Sequence, residues 1–299
     1  MLALGWACLE SAASGRPEHR PTSEDYPDSV VRRVSFAAGG DLGWRISALT
    51  SPRGRPAPWK IAVVTGAPSW AEYWAPVIAA LRPDLEMVVV DRPGFACTEP
   101  MDCVPDIGLQ AKALSPLLDR APGQKILLVG QSYGAAVATL MAAARPRDVD
   151  ALALLSSYLG EAGPTARWLV SLGSKFLGVI PRDLRNAVQE VAGQSEQMPR
   201  MRAALAKVRV PIHVIHGDQD DFAPIEAAKR LASESGHRLP TRFHCVPGAN
   251  HFLNDGPVET LLSALYGCLP SAALAAGRRA RLPRIFSPAS APGLTTAPA

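Results

Sequence analysis

The sequence predicts an α/β protein: a mostly parallel central sheet with helices on both faces. Three observations carry that expectation. Short runs that are apolar at successive positions recur along the chain, as in strands buried on both faces of a sheet. Stretches long enough for crossover helices separate them. With 299 residues, 47% of them hydrophobic and 19% charged, the chain can bury the core such a sheet needs without disulfides or a structural metal.

Taken in order, Val30–Phe36 and Leu42–Leu49 flank Ala-Gly-Gly-Asp and read as a hairpin. The buried-strand runs follow: Ile61–Val64, Leu85–Val90, Ile126–Val129, Ala151–Leu155 and Ile212–Ile215, with Arg242–Val246 last. Between them, Ala71–Leu81, Ile107–Leu118 and Ala135–Ala144 have helix length. Residues 9–28 are rich in Ser, Pro, Glu, Asp and Arg, so 1–29 is expected to be a flexible lead-in. From 270 to 299 the chain is Ala/Pro/Arg-rich and is expected to be disordered. The domain proper is expected over 30–268.

Charge and cysteine content narrow the classes. The net charge is +4, and Arg278, Arg279, Arg281 and Arg284 alone account for it. The body is thus near neutral, which argues against nucleic acid as a partner. Five scattered cysteines without a CxxC pair argue against a disulfide framework or a zinc site. The apolar start, Met1–Cys8, has no basic residue before Arg16 and makes a poor signal peptide. No apolar stretch has bilayer length. A soluble, cytoplasmic protein acting on a small molecule is expected, with no metal or organic cofactor.

In an open α/β sheet, reactive groups sit on loops at the carboxyl ends of strands. After Ile126–Val129 the chain reads Gly130-Gln131-Ser132-Tyr133-Gly134 and runs directly into Ala135–Ala138. That is strand, tight turn and helix, with a serine held exposed on a strained bend. Strand and helix approach closely there, and Gly130, Gly134 and Ala135 are small enough to allow it. By contrast, Gly193-Gln194-Ser195 repeats three of the letters without a preceding strand and reads as a helix-flanking loop.

A serine hydroxyl needs an adjacent base. Of six histidines, His19 falls in the lead-in, His213 and His244 lie inside strand-like runs, and His237 sits in a polar loop. His216 ends a strand, and the pattern leaves its direction open. His251, in the loop after Arg242–Val246, is at a strand end and is the expected base. A carboxylate must orient it, and the turn after Ile215 offers Asp218, Asp220 and Asp221.

With these motifs, the sequence resembles the α/β-hydrolase superfamily over about residues 30–268. The resemblance aligns Gly217, Asp220 and Pro224 with the family's G-x-x-D-x-x-x-P turn, implying Asp220 as the acid and Asp218 as the fallback. The order Ser132, Asp220, His251 is the family order. It further implies that the backbone N–H groups of Ala67 and Tyr133 form an oxyanion hole, although Thr65 replaces the usual histidine of that loop. Asp91-Arg92-Pro93-Gly94-Phe95 resembles a structural turn of the family, with Arg92 expected on the surface.

The resemblance also places a short helical cap, 157–208, before the penultimate strand. Trp168, Leu172 and Phe176 recur at helical spacing there, as do Met198, Met201, Leu205 and Val208. Most are expected to pack the cap on the core, with Trp168 and Phe176 as the substrate-facing candidates. The function implied is a serine hydrolase cleaving an ester-like bond of a small, largely apolar substrate through an acyl-enzyme. The alternatives are an acyltransferase using the same residues and a ligand-binding member without activity.

Overall fold

The apolar runs become the middle of one sheet. The computed structural model describes residues 21–234, 241–253 and 256–270. Its strands are β1 (Arg32–Ala37), β2 (Arg45–Thr50), β3 (Trp59–Val64), β4 (Leu85–Val90), β5 (Lys125–Gln131), β6 (Ala151–Leu155), β7 (Ile212–Gly217) and β8 (Thr241–Val246). They lie in the order β1-β2-β4-β3-β5-β6-β7-β8. The hairpin β1–β2 and its pairing to β4 are antiparallel, and all other pairs are parallel. Every side chain of β3, β6 and β7 is buried, whereas no residue of the edge strands β1 and β8 is fully buried. That contrast is the one expected between strands covered on both faces and strands at a sheet margin.

The helices are α1 (Ala75–Ala79), α2 (Ile107–Ala113), α3 (Gly134–Ala144), α4 (Pro164–Lys175), α5 (Arg182–Leu205), α6 (Ile225–Glu234) and α7 (Val258–Gly267). The chain steps outward from β3 to β4 and then returns past β3 to β5. Strand order therefore reverses between β3 and β5, and a crevice opens at their carboxyl ends.

The insertion between β6 and β7 holds α4 and α5. Residues Gly193-Gln194-Ser195 lie inside α5 and not in the loop expected. Buried Ala187, Glu190, Val191, Gln194, Met198, Met201 and Leu205 form a stripe with steps of three and four along α5. Burial of that stripe carries the helix through both Gly193 and Pro199. Met198, Met201, Leu205 and Val208 join the core cluster. Trp168, Leu172 and Phe176 do not, remaining 54%, 41% and 50% exposed. Helix α4 packs through Ala166, Leu169 and Val170 against Tyr158, Val191 and Phe222 instead, leaving Trp168, Leu172 and Phe176 off the core.

Part of the expected lead-in is structured. Ser23–Asp25 forms a 3-10 turn, and Ser23 donates from its N–H and hydroxyl to the Glu72 carboxylate at 2.7 and 2.9 Å. Residues 1–20 of the lead-in and the tail from 271 lie outside the described residues.

On the far side of β7, His213 is 3% exposed and stacks on His244 of β8, ring centroids 5.4 Å apart. Burial, His244 and Arg242 push the His213 imidazole down to about 4. A histidine held neutral in this way contributes stability above its ordinary pKa of about 6.5, which is lost as pH falls toward the folded value. His213→Asn is expected to flatten the fall of stability between those pH values, by at most about 3 kcal/mol. Thermal unfolding across that range tests this; equal slopes for parent and variant would reject it.

Candidate active site

Residues Gly130 to Gly134 turn sharply from β5 into α3, and Ser132 takes a left-handed φ of 51°. Such a backbone is costly for a non-glycine residue and is kept only where surrounding contacts enforce it. They do so here: Ser132 N–H donates to Leu155 O at 2.8 Å. A Cβ on Gly130 would stand 2.6 Å from Ala135 Cα, and one on Gly134 would stand 2.4 Å from Val64 O. Only glycine permits those approaches.

His251, on the loop after β8, reaches this bend from 119 positions away. Its Nε2 lies 2.9 Å from Ser132 Oγ, and its Nδ1 lies 2.8 Å from Asp220 Oδ2. Since an ionised carboxylate only accepts, Nδ1–H donates to Asp220 and Nε2 accepts the serine proton. Phe222 stacks on the imidazole with centroids 4.6 Å apart. Ser132, Asp220 and His251 are 6%, 8% and 5% exposed, so all three are largely screened from bulk water.

The three carboxylates of the β7 turn are separated by geometry. Asp218 Oδ1 accepts from Gly248 N–H at 2.7 Å and pins the loop bearing His251. Asp221 Oδ2 accepts from the Thr165 hydroxyl at 2.5 Å. Asp220 receives four donors: Phe222 N–H at 3.0 Å and Ala223 N–H at 2.8 Å on Oδ1, with His251 and His216 on Oδ2. Burial disfavours its charge, but the His251 charge and the hydrogen bonds from His216, His251 and Ala223 outweigh that. The carboxyl is therefore held well below the ordinary carboxylate range.

His216 is the residue that sequence reasoning left open. It is fully buried, and its Nε2 meets two acceptors, Ala223 O at 2.9 Å and Asp220 Oδ2 at 3.0 Å. That nitrogen must therefore carry the proton. Its position four residues before Asp220, at a strand end, was the available signal.

Ala67 lies on the loop after β3. A Cβ on its neighbour Gly66 would stand 2.9 Å from Ser132 Cβ, which brings this loop against the serine. Neither Ala67 N–H nor Tyr133 N–H donates to an acceptor among the described residues. Arg92 corrects the sequence expectation most strongly: it is fully buried, not on the surface. Its guanidinium pairs with Glu190 of α5 at 2.7 Å and donates to Thr65 O at 2.8 Å and Gly66 O at 2.6 Å. A buried charge persists only when paired and hydrogen-bonded, and Glu190 meets that demand.

A cavity of about 480 Å³ reaches the site at His251, Phe222 and Ala67, which line it together with Trp168, Leu172, Phe176, Val188, Val191 and Phe252. Its described lining includes no Lys, Arg, Asp or Glu. Trp168 and Phe176 both border it. Among the described residues, no cluster of three His, Cys, Asp or Glu could hold a metal ion, and no helix is long and apolar enough to cross a membrane.

A family model for the alpha/beta hydrolase fold matches residues 61–207. With the sheet order and the strand-turn-helix bend already described, the chain belongs to the alpha/beta hydrolase superfamily and is a hydrolase. It is 26% identical to a 2-hydroxy-6-oxononadienedioate/2-hydroxy-6-oxononatrienedioate hydrolase of Pseudomonas putida, over 56% of this chain and 71% of that protein. Among solved structures, an esterase from Exiguobacterium antarcticum superposes with a TM-score of 0.61 at 15% identity, over 78% of this chain and 100% of that one. A thermophilic esterase from Thermogutta terrifontis gives 0.60 at 18%, over 82% of this chain and 98% of that one.

Proposed function

We propose that the chain is a serine hydrolase cleaving an ester-like bond in a small, neutral and largely apolar substrate. One observation carries this reading: the unbroken series Ser132 Oγ, His251 Nε2, His251 Nδ1, Asp220 Oδ2, with links of 2.9 and 2.8 Å, whose His251 lines a cavity with no Lys, Arg, Asp or Glu in its described wall. His251 takes the Ser132 proton as the oxygen attacks the substrate carbonyl. The oxyanion is stabilised by Ala67 and Tyr133 N–H groups. Collapse expels the alcohol, which leaves with the proton from His251. Water activated by the same imidazole then attacks the acyl-enzyme, releasing the acid and restoring the serine.

The Pseudomonas putida relative is named for a dioate, which carries two carboxylates. Burying a carboxylate is unfavourable unless a cation or several donors meet it. The described cavity lining offers no cation, and Arg92 is committed to Glu190 and the β3 loop. Trp168 and Phe176 instead offer apolar surface for an acyl or alcohol chain.

The test joins active-site labelling to a substrate panel. A fluorophosphonate should modify the peptide bearing Ser132, and p-nitrophenyl esters with neutral acyl chains should exceed a dicarboxylate counterpart in kcat/KM by at least about tenfold. Label mapped to another residue, or equal turnover of the dicarboxylate, would overturn the reading. Faster release with transfer of the acyl group to an added alcohol would convert it to an acyltransferase.

A further inference from the structure

We propose that Arg92, clamped by Glu190 of helix α5, is a positioning residue that aims both oxyanion-hole N–H groups, so that the inserted helices and the reaction centre are mechanically joined. The inference rests on the reading of Ala67 and Tyr133 as oxyanion donors.

Every N–H of the guanidinium is in use. Nε donates to Thr65 O at 2.8 Å and Nη2 to Gly66 O at 2.6 Å. Nη1 donates to Gln110 Oε1 and Glu190 Oε1, both at 2.8 Å, and Nη2 donates also to Glu190 Oε2 at 2.7 Å. The Gln110 amide completes the set by donating to Glu190 Oε1 at 2.7 Å. Gly66 C=O and Ala67 N–H belong to one peptide unit, and in a planar trans peptide they point in opposite directions. Holding the carbonyl from beneath therefore turns the N–H toward the serine side.

The second donor is held by the same group. The Arg92 guanidinium carbon lies 4.6 Å from the centroid of the Tyr133 ring and 4.9 Å from that of Phe95. The Tyr133 hydroxyl is tied to Pro105 O at 3.1 Å. The ring of the residue supplying one N–H and the carbonyl opposite the other thus share a single cation. That cation's counter-charge comes from α5, 98 positions away. Glu190 does not itself line the cavity; its link to the loop after β3 runs through Arg92.

Arg92→Lys keeps the charge but cannot reach two carbonyls and a bidentate carboxylate at once. Its kcat on a p-nitrophenyl ester is expected to fall about 10- to 100-fold with KM within about threefold, somewhat less than outright removal of an oxyanion donor. The inhibition constant of a boronic acid, whose serine adduct resembles the tetrahedral intermediate, should rise by a similar factor. Circular dichroism establishes that the variant is folded. If Arg92→Lys does not fold, the double variant Arg92→Met with Glu190→Met strands no buried charge and should show the same loss of kcat and boronate affinity. A folded variant with kcat within twofold of the parent, or with a raised KM alone, would overturn the inference. Ser132→Ala serves as the control. Should it retain turnover, the reading of the site itself fails; should it be inactive while Arg92→Lys is normal, only the role of Arg92 fails.

Discussion

Ser132→Ala is expected to lower kcat/KM on any turned-over ester by about 10⁴-fold or more while leaving the protein folded. Alanine removes the one oxygen that His251 Nε2 contacts at 2.9 Å and leaves the bend's backbone bond, Ser132 N–H to Leu155 O, available. The cavity and the Ala67 and Tyr133 N–H groups also remain, so substrate should still bind. Residual hydrolysis would then come from binding and oxyanion stabilisation alone. Steady-state kinetics with a thermal scan of the same preparation decides the matter. Activity within tenfold of the parent would remove Ser132 from the mechanism.

Asp220→Asn carries the second largest expected effect, a fall in kcat of about 10³- to 10⁴-fold. Four N–H donors converge on this carboxylate, two from backbone and two from imidazoles. An amide has one acceptor oxygen and one NH₂, so one of those pairs must face a donor. If the NH₂ faces His251, Nδ1 must accept, and the proton moves to Nε2, where it opposes the serine hydroxyl. Asp218→Asn should stay within about threefold, because an amide oxygen can still accept from Gly248 N–H. The opposite ranking of these two variants would move the acid to Asp218. Stability should follow the same group. A carboxyl held below its ordinary range contributes stability above about pH 4, lost as pH falls through the lowered value; Asp220→Asn should remove that dependence.

Much of this site was legible because its signals are local. A buried-strand run followed by Gly-x-Ser-x-Gly and a small-residue helix specifies a bend within ten residues. Strand ends announce where His251 and the Asp218–Asp221 cluster belong. What stayed hidden depends on contacts across long sequence separations. Arg92 reads as a surface residue because its partner Glu190 lies on a helix far along the chain, and no local pattern announces the pairing. His216 belongs to a strand buried on both faces, where alternation carries no information about direction. Gly193 looked like a helix boundary, yet the buried stripe on both sides of it holds α5 continuous.

The fully enclosed Arg92–Glu190 pair also bears on how such a protein can be re-engineered. Exchanging the segment between β6 and β7 for a foreign one is an obvious route to new specificity, since the sheet that carries the reacting groups is left untouched. Here a chimera that omitted an acid at the matching turn of its second helix would leave a lone guanidinium sealed in the interior. A graft would therefore need to bring its own carboxylate, or be made together with a neutral replacement at position 92.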